Sequence, residues 1–141
     1  VVQNQARDEE IGMTDKMSII VASGTREKLQ MASMVASVAA VSGTAVTVFL
    51  SMNALDYFRK GASRAAPAEG EFGRLLETKK APEFMMLFES AVSLGDARVH
   101  PCSMAVDVMG LSTNDLESFL GEPLGLTKFL EDAQGGQILS F

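Results

Sequence analysis

The 27 residues from Leu29 to Leu55 carry no charge, and what they fold into limits everything around them. About 20 apolar residues suffice to span a bilayer as a helix, so length alone permits a membrane segment. The chemistry argues otherwise. The stretch is mostly Ala, Ser, Thr and Val, and Ser42-Gly43-Thr44 sits in its middle. Before Gly43, Leu29, Ala32, Val35, Ala36 and Ala39 recur at helical spacing. After it, Ala45-Val46-Thr47-Val48-Phe49-Leu50 is rich in strand-forming residues. A helix, a glycine stop and a buried strand account for the whole stretch, and a membrane is not an expected partner.

The rest of the chain alternates in the same way. Residues 1–16 are polar and acidic with no apolar period, which reads as a flexible lead-in, and residues 17–141 read as one domain. Met17 to Ala22 is a strand. Ser23-Gly24-Thr25 then turns the chain, with Thr25 capping a helix that runs to about Ser42. The second strand covers about Thr44 to Ser51, and Asn53 caps a short helix through Arg59-Lys60. Gly61 to Ala81 is a long irregular segment, which reads as a lid, an interface segment or a disordered loop. Pro82 opens a helix carrying Phe84, Leu87, Phe88, Ala91 and Val92, and Gly95 ends it. Ala97 to His100 is a third strand, and Met104 to Met109 is a short helix closed by Gly110. Ser112-Thr113-Asn114 caps a helix with Leu116, Phe119 and Leu120. A last helix carries Leu126, Phe129 and Leu130, and Gln137 to Phe141 is the closing strand. Strands alternating with helices predict an α/β fold with a mainly parallel sheet covered on both faces. Four strands are visible, and a fifth after Met109 or within the long loop would make about five.

Charge narrows the function. Twelve Lys and Arg against eighteen Asp and Glu give a net charge of −6 and a pI of about 4.7. Binding to nucleic acid runs on a basic surface, so nucleic acid is not an expected partner. The single cysteine, Cys102, forms no disulfide within the chain, and the first residues lack the pattern of a secretory signal. Both fit a cytoplasmic protein. One His and one Cys do not make a structural zinc site.

In open parallel sheets, sites gather at the carboxyl ends of strands. Two segments qualify: Ser23-Gly24-Thr25, and His100-Pro101-Cys102-Ser103. Cys102 ends a strand and begins a helix, whose unpaired N–H groups stabilise a thiolate, the reactive form of the thiol. The opposing reading is a small apolar core residue, the usual role of a free cysteine. His100, two residues earlier on an extended strand, shares a face with Cys102 and reads as a proton donor or acceptor, or else as a partly exposed capping histidine. Asp107 reads as a hydrogen-bond acceptor near the thiol or as a structural carboxylate. Ser23, Gly24 and Thr25 form a candidate anion nest at a helix start, although the phosphate-loop pattern is absent. Met85, Met86, Met104 and Met109 read as core filler rather than metal ligands.

From Cys102 onward, Cys102-Ser103-Met104-Ala105-Val106-Asp107-Val108-Met109-Gly110 resembles the Cys-x-Met-x-x-Asp-x-Met-Gly segment of the DsrE/DsrF-like family, in particular its DsrE-related branch often labelled peroxiredoxin-like. The resemblance extends from about Met17 to Phe141. It implies a three-layer α/β/α sandwich, assembled into trimers or hexamers, that works in sulfur trafficking without a cofactor or metal. The family cysteine maps onto Cys102, which would accept sulfur as a persulfide or thiosulfonate and pass it to a partner thiol such as a TusA-like carrier. Met104, Asp107, Met109 and Gly110 match the motif, with no catalytic role carried onto them. The second cysteine of some relatives is absent, so transfer would need a thiol from a partner. The alternative is a non-catalytic oligomeric binding or assembly module with a structural cysteine.

Overall fold

The structure, a computed structural model, describes residues 15–62 and 66–141. The expected lead-in lies outside the described residues except for its end, where Lys16 already opens the first strand. In chain order the elements are β1 (Lys16–Val21), α1 (Arg26–Val41), β2 (Ala45–Leu50), α2 (Met52–Asp56), α3 (Glu71–Thr78), α4 (Phe84–Gly95), β3 (Arg98–Pro101), α5 (Ser103–Met109), α6 (Leu126–Ala133) and β4 (Gln137–Ser140). The sheet order is β3-β2-β1-β4 and every neighbouring pair is parallel.

Sidedness follows from this order. Right-handed crossovers from β1 to β2 to β3 step in one direction and place α1 and α4 on one face. The return to β4 steps the other way and places α6 on the opposite face. Strand alternation agrees: Phe49 stacks on Phe129 of α6 with ring centroids 4.9 Å apart, while its neighbours Val48 and Leu50 point to the other side and are fully buried. The result is an α/β/α sandwich. Its uncharged 27-residue stretch is cut at Gly43, where φ is +100°, into α1 and β2. Among the described residues no helix is long and apolar enough to cross a membrane.

Four expectations need correction. The sheet has four strands among the described residues, not five. Between Met109 and α6 the described residues make only single-residue bridges, Leu116 to Arg59 and Leu124 to Cys102, because Gly121, Pro123 and Gly125 break any longer run. Second, Ser112 does form a capping box with Asp115, but the helix stops after Thr113–Asp115. Leu116 is already extended and buried, so the turn feeds the core instead of a helix. Third, α2 begins after Ser51 and ends at Asp56, short of Arg59-Lys60. Finally, Gly95 lies inside α4, and the left-handed C-terminal position belongs to Asp96 with φ +57°.

The long segment before α4 is not irregular throughout, since α3 occupies Glu71–Thr78. Only Gly73 of that helix is buried, so apolar packing contributes little to holding it. A carboxylate does that work. Glu27, in the first turn of α1, accepts the backbone N–H groups of Glu69 (2.8 Å) and Gly70 (2.7 Å) at the start of α3. A side chain at position 73 would collide with that carboxylate, which explains a glycine inside a helix. Burial pushes the Glu27 pKa up, but the N–H donors of Glu69, Gly70 and Gly73, with its own, outweigh burial and leave it below the ordinary 4.5. A depressed carboxyl pKa contributes stability above the unfolded value, and that contribution is lost as pH falls through the folded value. Glu27→Ala should therefore cost about 1 kcal/mol at neutral pH, the size of a lost helix cap. Urea melts of wild type and variant should converge in acid, and amide exchange at Glu69 and Gly70 should rise in the variant.

Candidate functional site at the carboxyl edge of the sheet

Three strand ends meet on one side of the molecule. Beyond β1, the N–H groups of Ala22 and Ser23 donate to the Phe141 carbonyl at 2.9 and 3.3 Å. Beyond β2, the N–H of Ser51 donates to Val21 at 2.9 Å and that of Ala54 to Ala22 at 3.2 Å. Beyond β3, the N–H of Cys102 donates to Leu50 at 2.7 Å. These bonds pin the β1, β2 and β3 ends to one another and tie Phe141 to β1. Between them opens a crevice of about 510 Å³, within the range of small-molecule sites. One wall is polar, from Ser23, Thr25, Asn53, Asp56 and Tyr57. Met52, at the start of α2, adds an apolar side chain to them, and the other wall is apolar, from Met104, Ala105, Val108 and Met109 of α5.

Local sequence explains the shape. Gly24 lies under Tyr57 and Asn53, where a Cβ would stand 2.7 Å from the Tyr57 ring and 3.0 Å from the Asn53 carbonyl oxygen. Any larger residue would push α2 away from the β1 turn. Met52 begins α2 with φ +51°, a left-handed conformation uncommon for a non-glycine residue.

The expected anion nest is already engaged internally. The Thr25 N–H points to the Ser23 Oγ at 3.3 Å, the two hydroxyls lie 3.2 Å apart, and the Arg26 N–H donates to the Pro67 carbonyl at 2.8 Å. Thr25 is the N-cap residue of α1 without a side-chain capping bond. Asp56 on the same wall adds a carboxylate, ion-paired with Arg59 at 2.8 Å. The amides of Ser23, Thr25 and Arg26 are thus directed at partners within the chain, and the turn shapes the crevice.

Cys102 is the N-cap residue of α5. It is 5% exposed and belongs to the core cluster, while Met104 and Ala105 of α5 reach the crevice wall. The amide of Ser103, first in the helix, donates to the Leu124 carbonyl at 2.8 Å, and the Leu124 N–H donates to Pro101 at 2.9 Å. The segment Gly121–Gly125 therefore lies along the outer edge of β3 beside the cysteine. His100 turns to this segment: its Nδ1 is 2.7 Å from the Glu122 carbonyl oxygen, and its ring occupies the space a side chain at Gly121 would need. Among the described residues no hydrogen bond joins His100 to Cys102. Asp107 is exposed, and its backbone carbonyl accepts the Gly110 N–H at 3.1 Å. Gly110 takes the left-handed C-cap of α5, φ +65°. Among the described residues no group of three or more His, Cys, Asp or Glu side chains is arranged to hold a metal.

The amino-acid pattern placed Ser23 to Thr25 and Cys102 at this edge, whereas Met104 and Met109, expected as core filler, line the crevice, with Met104 48% exposed. The pattern missed Met52, Asp56 and Tyr57, and it marked Asn53 only as a helix cap. Only the proximity of Asn53 to the end of β2 was a usable signal.

Two solved structures share this fold. The crystal structure of the ychN protein from E. coli matches 89% of this chain and 99% of its own, with a TM-score of 0.59 and 19% identity. The structure of MTH1491 from Methanobacterium thermoautotrophicum, a protein of unknown function, matches 89% of this chain and 97% of its own, with a TM-score of 0.52 and 13% identity. No protein-family model and no curated protein sequence matches the chain. At these identities the likeness extends to the fold.

Proposed function

We propose that this chain belongs with the DsrE/DsrF-like proteins and carries sulfur on Cys102. The observation that carries the reading is the position of the nine-residue segment Cys102 to Gly110: it starts at the carboxyl end of β3 and forms α5, one wall of the crevice. The fold shared with the ychN protein is consistent with it. In the reaction, the Cys102 thiolate attacks the outer sulfur of a donor persulfide, the donor S–S bond breaks, and the donor leaves as a thiolate. Cys102 then holds a persulfide with no net oxidation or reduction. In the second step a partner thiolate, on a protein such as a TusA-like carrier, attacks the outer sulfur and Cys102 leaves. With one cysteine in the chain, the second thiol comes from the partner. A thiosulfonate cargo follows the same exchange with a different terminal group.

The reading requires local opening, because Cys102 is nearly buried. That burial favours a second reading, an assembly module in which Cys102 is a structural core residue. Alkylation of the native protein separates them. For a carrier, iodoacetamide should modify Cys102 by a local opening whose rate is insensitive to low urea. Modification that rises with urea in step with global unfolding would leave the structural reading in place.

A further inference from the structure

The two edges of the sheet are treated differently by the chain. At β3 the edge is sealed: the Gly121 N–H donates to Val99 at 2.8 Å, the Leu124 N–H to Pro101 at 2.9 Å, and Cys102 bridges Leu124. At β4 nothing comparable lies outside among the described residues. Phe141 directs its N–H to Ile20 (2.8 Å) and receives the Ala22 N–H (2.9 Å). Since a strand alternates the direction of its backbone groups, Leu139 also faces β1, and the N–H and C=O of Ile138 and Ser140 point away from the sheet. Ile138 is 50% exposed, and Gln137 and Ser140 are exposed too.

Natural sheets blunt such an edge with lysine, proline, a bulge or a cover. None of the first two is present, for Ala133 to Phe141 contains no charged residue and no proline. In a chain of net charge −6, an uncharged edge is where two copies approach with the least repulsion.

We infer that β4 is an interface for a second copy of this chain, paired antiparallel across a two-fold axis at Leu139. Ile138 of one copy then faces Ser140 of the other, and the reverse, so the outward N–H and C=O groups of both residues are satisfied by a closed, self-complementary contact. The two four-stranded sheets become one continuous sheet, and the exposed Ile138 side chains gain cover. This interface stands independently of the sulfur reading, since neither Cys102 nor the crevice takes part in it.

The test combines mass in solution with amide exchange. Light scattering on wild type should give a dimer or a multiple of it, and Ile138→Lys should halve the particle mass while the variant retains its circular dichroism. In the wild type the outward amides of Ile138 and Ser140 should exchange about tenfold or more slower than in the variant, whereas Leu139 and Phe141 stay protected in both. Ser140→Pro, which removes only an outward donor, provides a second route to the same dissociation. A monomeric wild type overturns the inference, as would an oligomer that survives Ile138→Lys or dissociates only on Val38→Asp on the exposed face of α1. Fast exchange of the Ile138 and Ser140 amides in the oligomer overturns it as well.

Discussion

Replacing Phe58 with alanine should remove about 3–5 kcal/mol of folding stability, the range for a buried phenylalanine truncated to a methyl group. Phe58 is fully buried, and its ring meets three others: Phe88 at 5.4 Å, Phe84 at 6.3 Å and Phe119 at 6.5 Å. It therefore joins the turn after α2 to α4 and to the irregular segment before α6. That segment has no regular element of its own beyond the Thr113–Asp115 turn, so the cavity would loosen the part of the chain that reaches on to β3's edge. Against a typical total of about 5–15 kcal/mol, the loss is large. Urea denaturation should show a lower midpoint, and amide exchange should accelerate first between Leu116 and Leu124. A loss below about 1 kcal/mol would mean that the four rings are not a single packed unit.

Gly95→Val should be the next most damaging change, by overpacking. A Cβ on Gly95 would stand 2.7 Å from the carbonyl carbon of Ala40 and 2.9 Å from the amide nitrogen of Val41. These are backbone atoms and cannot rotate away. Either α4 shifts outward from α1 or the end of α1 unwinds. Overpacking of this kind typically costs about 1–3 kcal/mol, with more where backbone must move. Gly95→Ala should cost less than Gly95→Val. Thermal melts of the pair measure the order directly, and equal melting temperatures would contradict the close approach of the two helices.

These two residues also illustrate what was legible in the amino-acid pattern. α1 could be read because one face is apolar at helical period, β1 and β2 because they are short runs of strand-forming apolar residues, and the break at Gly43 separates helix from strand. Gly95, by contrast, reads as a stop signal but serves as a contact: its role depends on Ala40, 55 positions away. The helix α3 was hidden for the same reason. Gly70 and Gly73 look like breakers, and Phe72, Leu75 and Leu76 carry its helical spacing; only the Glu27 carboxylate, on another helix, makes Gly73 the residue that fits. The capping box at Ser112 was a correct local signal with a misleading extension, since burial of Leu116 pulls the chain straight after one turn.

For the candidate site, strand ends pointed to the edge of the sheet where the crevice opens. The wall formed by Met52, Asp56 and Tyr57 was not legible, because it depends on how α2 packs over Gly24. Nor was the depth of Cys102. A residue that ends a short strand and starts a helix is compatible with exposure or burial, and its 5% exposure comes from the surrounding core and not from the local pattern.

Intact-protein mass spectrometry, after incubation of wild type and Cys102→Ser with polysulfide and separately with tetrathionate, tests sulfur carriage most directly. Sulfur carriage predicts a wild-type adduct of one or more sulfur atoms, or of thiosulfonate, that a reductant removes and Cys102→Ser never acquires. A wild-type mass unchanged by both donors while the protein is folded, with adducts appearing only after denaturation, would contradict it and leave a structural cysteine in an assembly module.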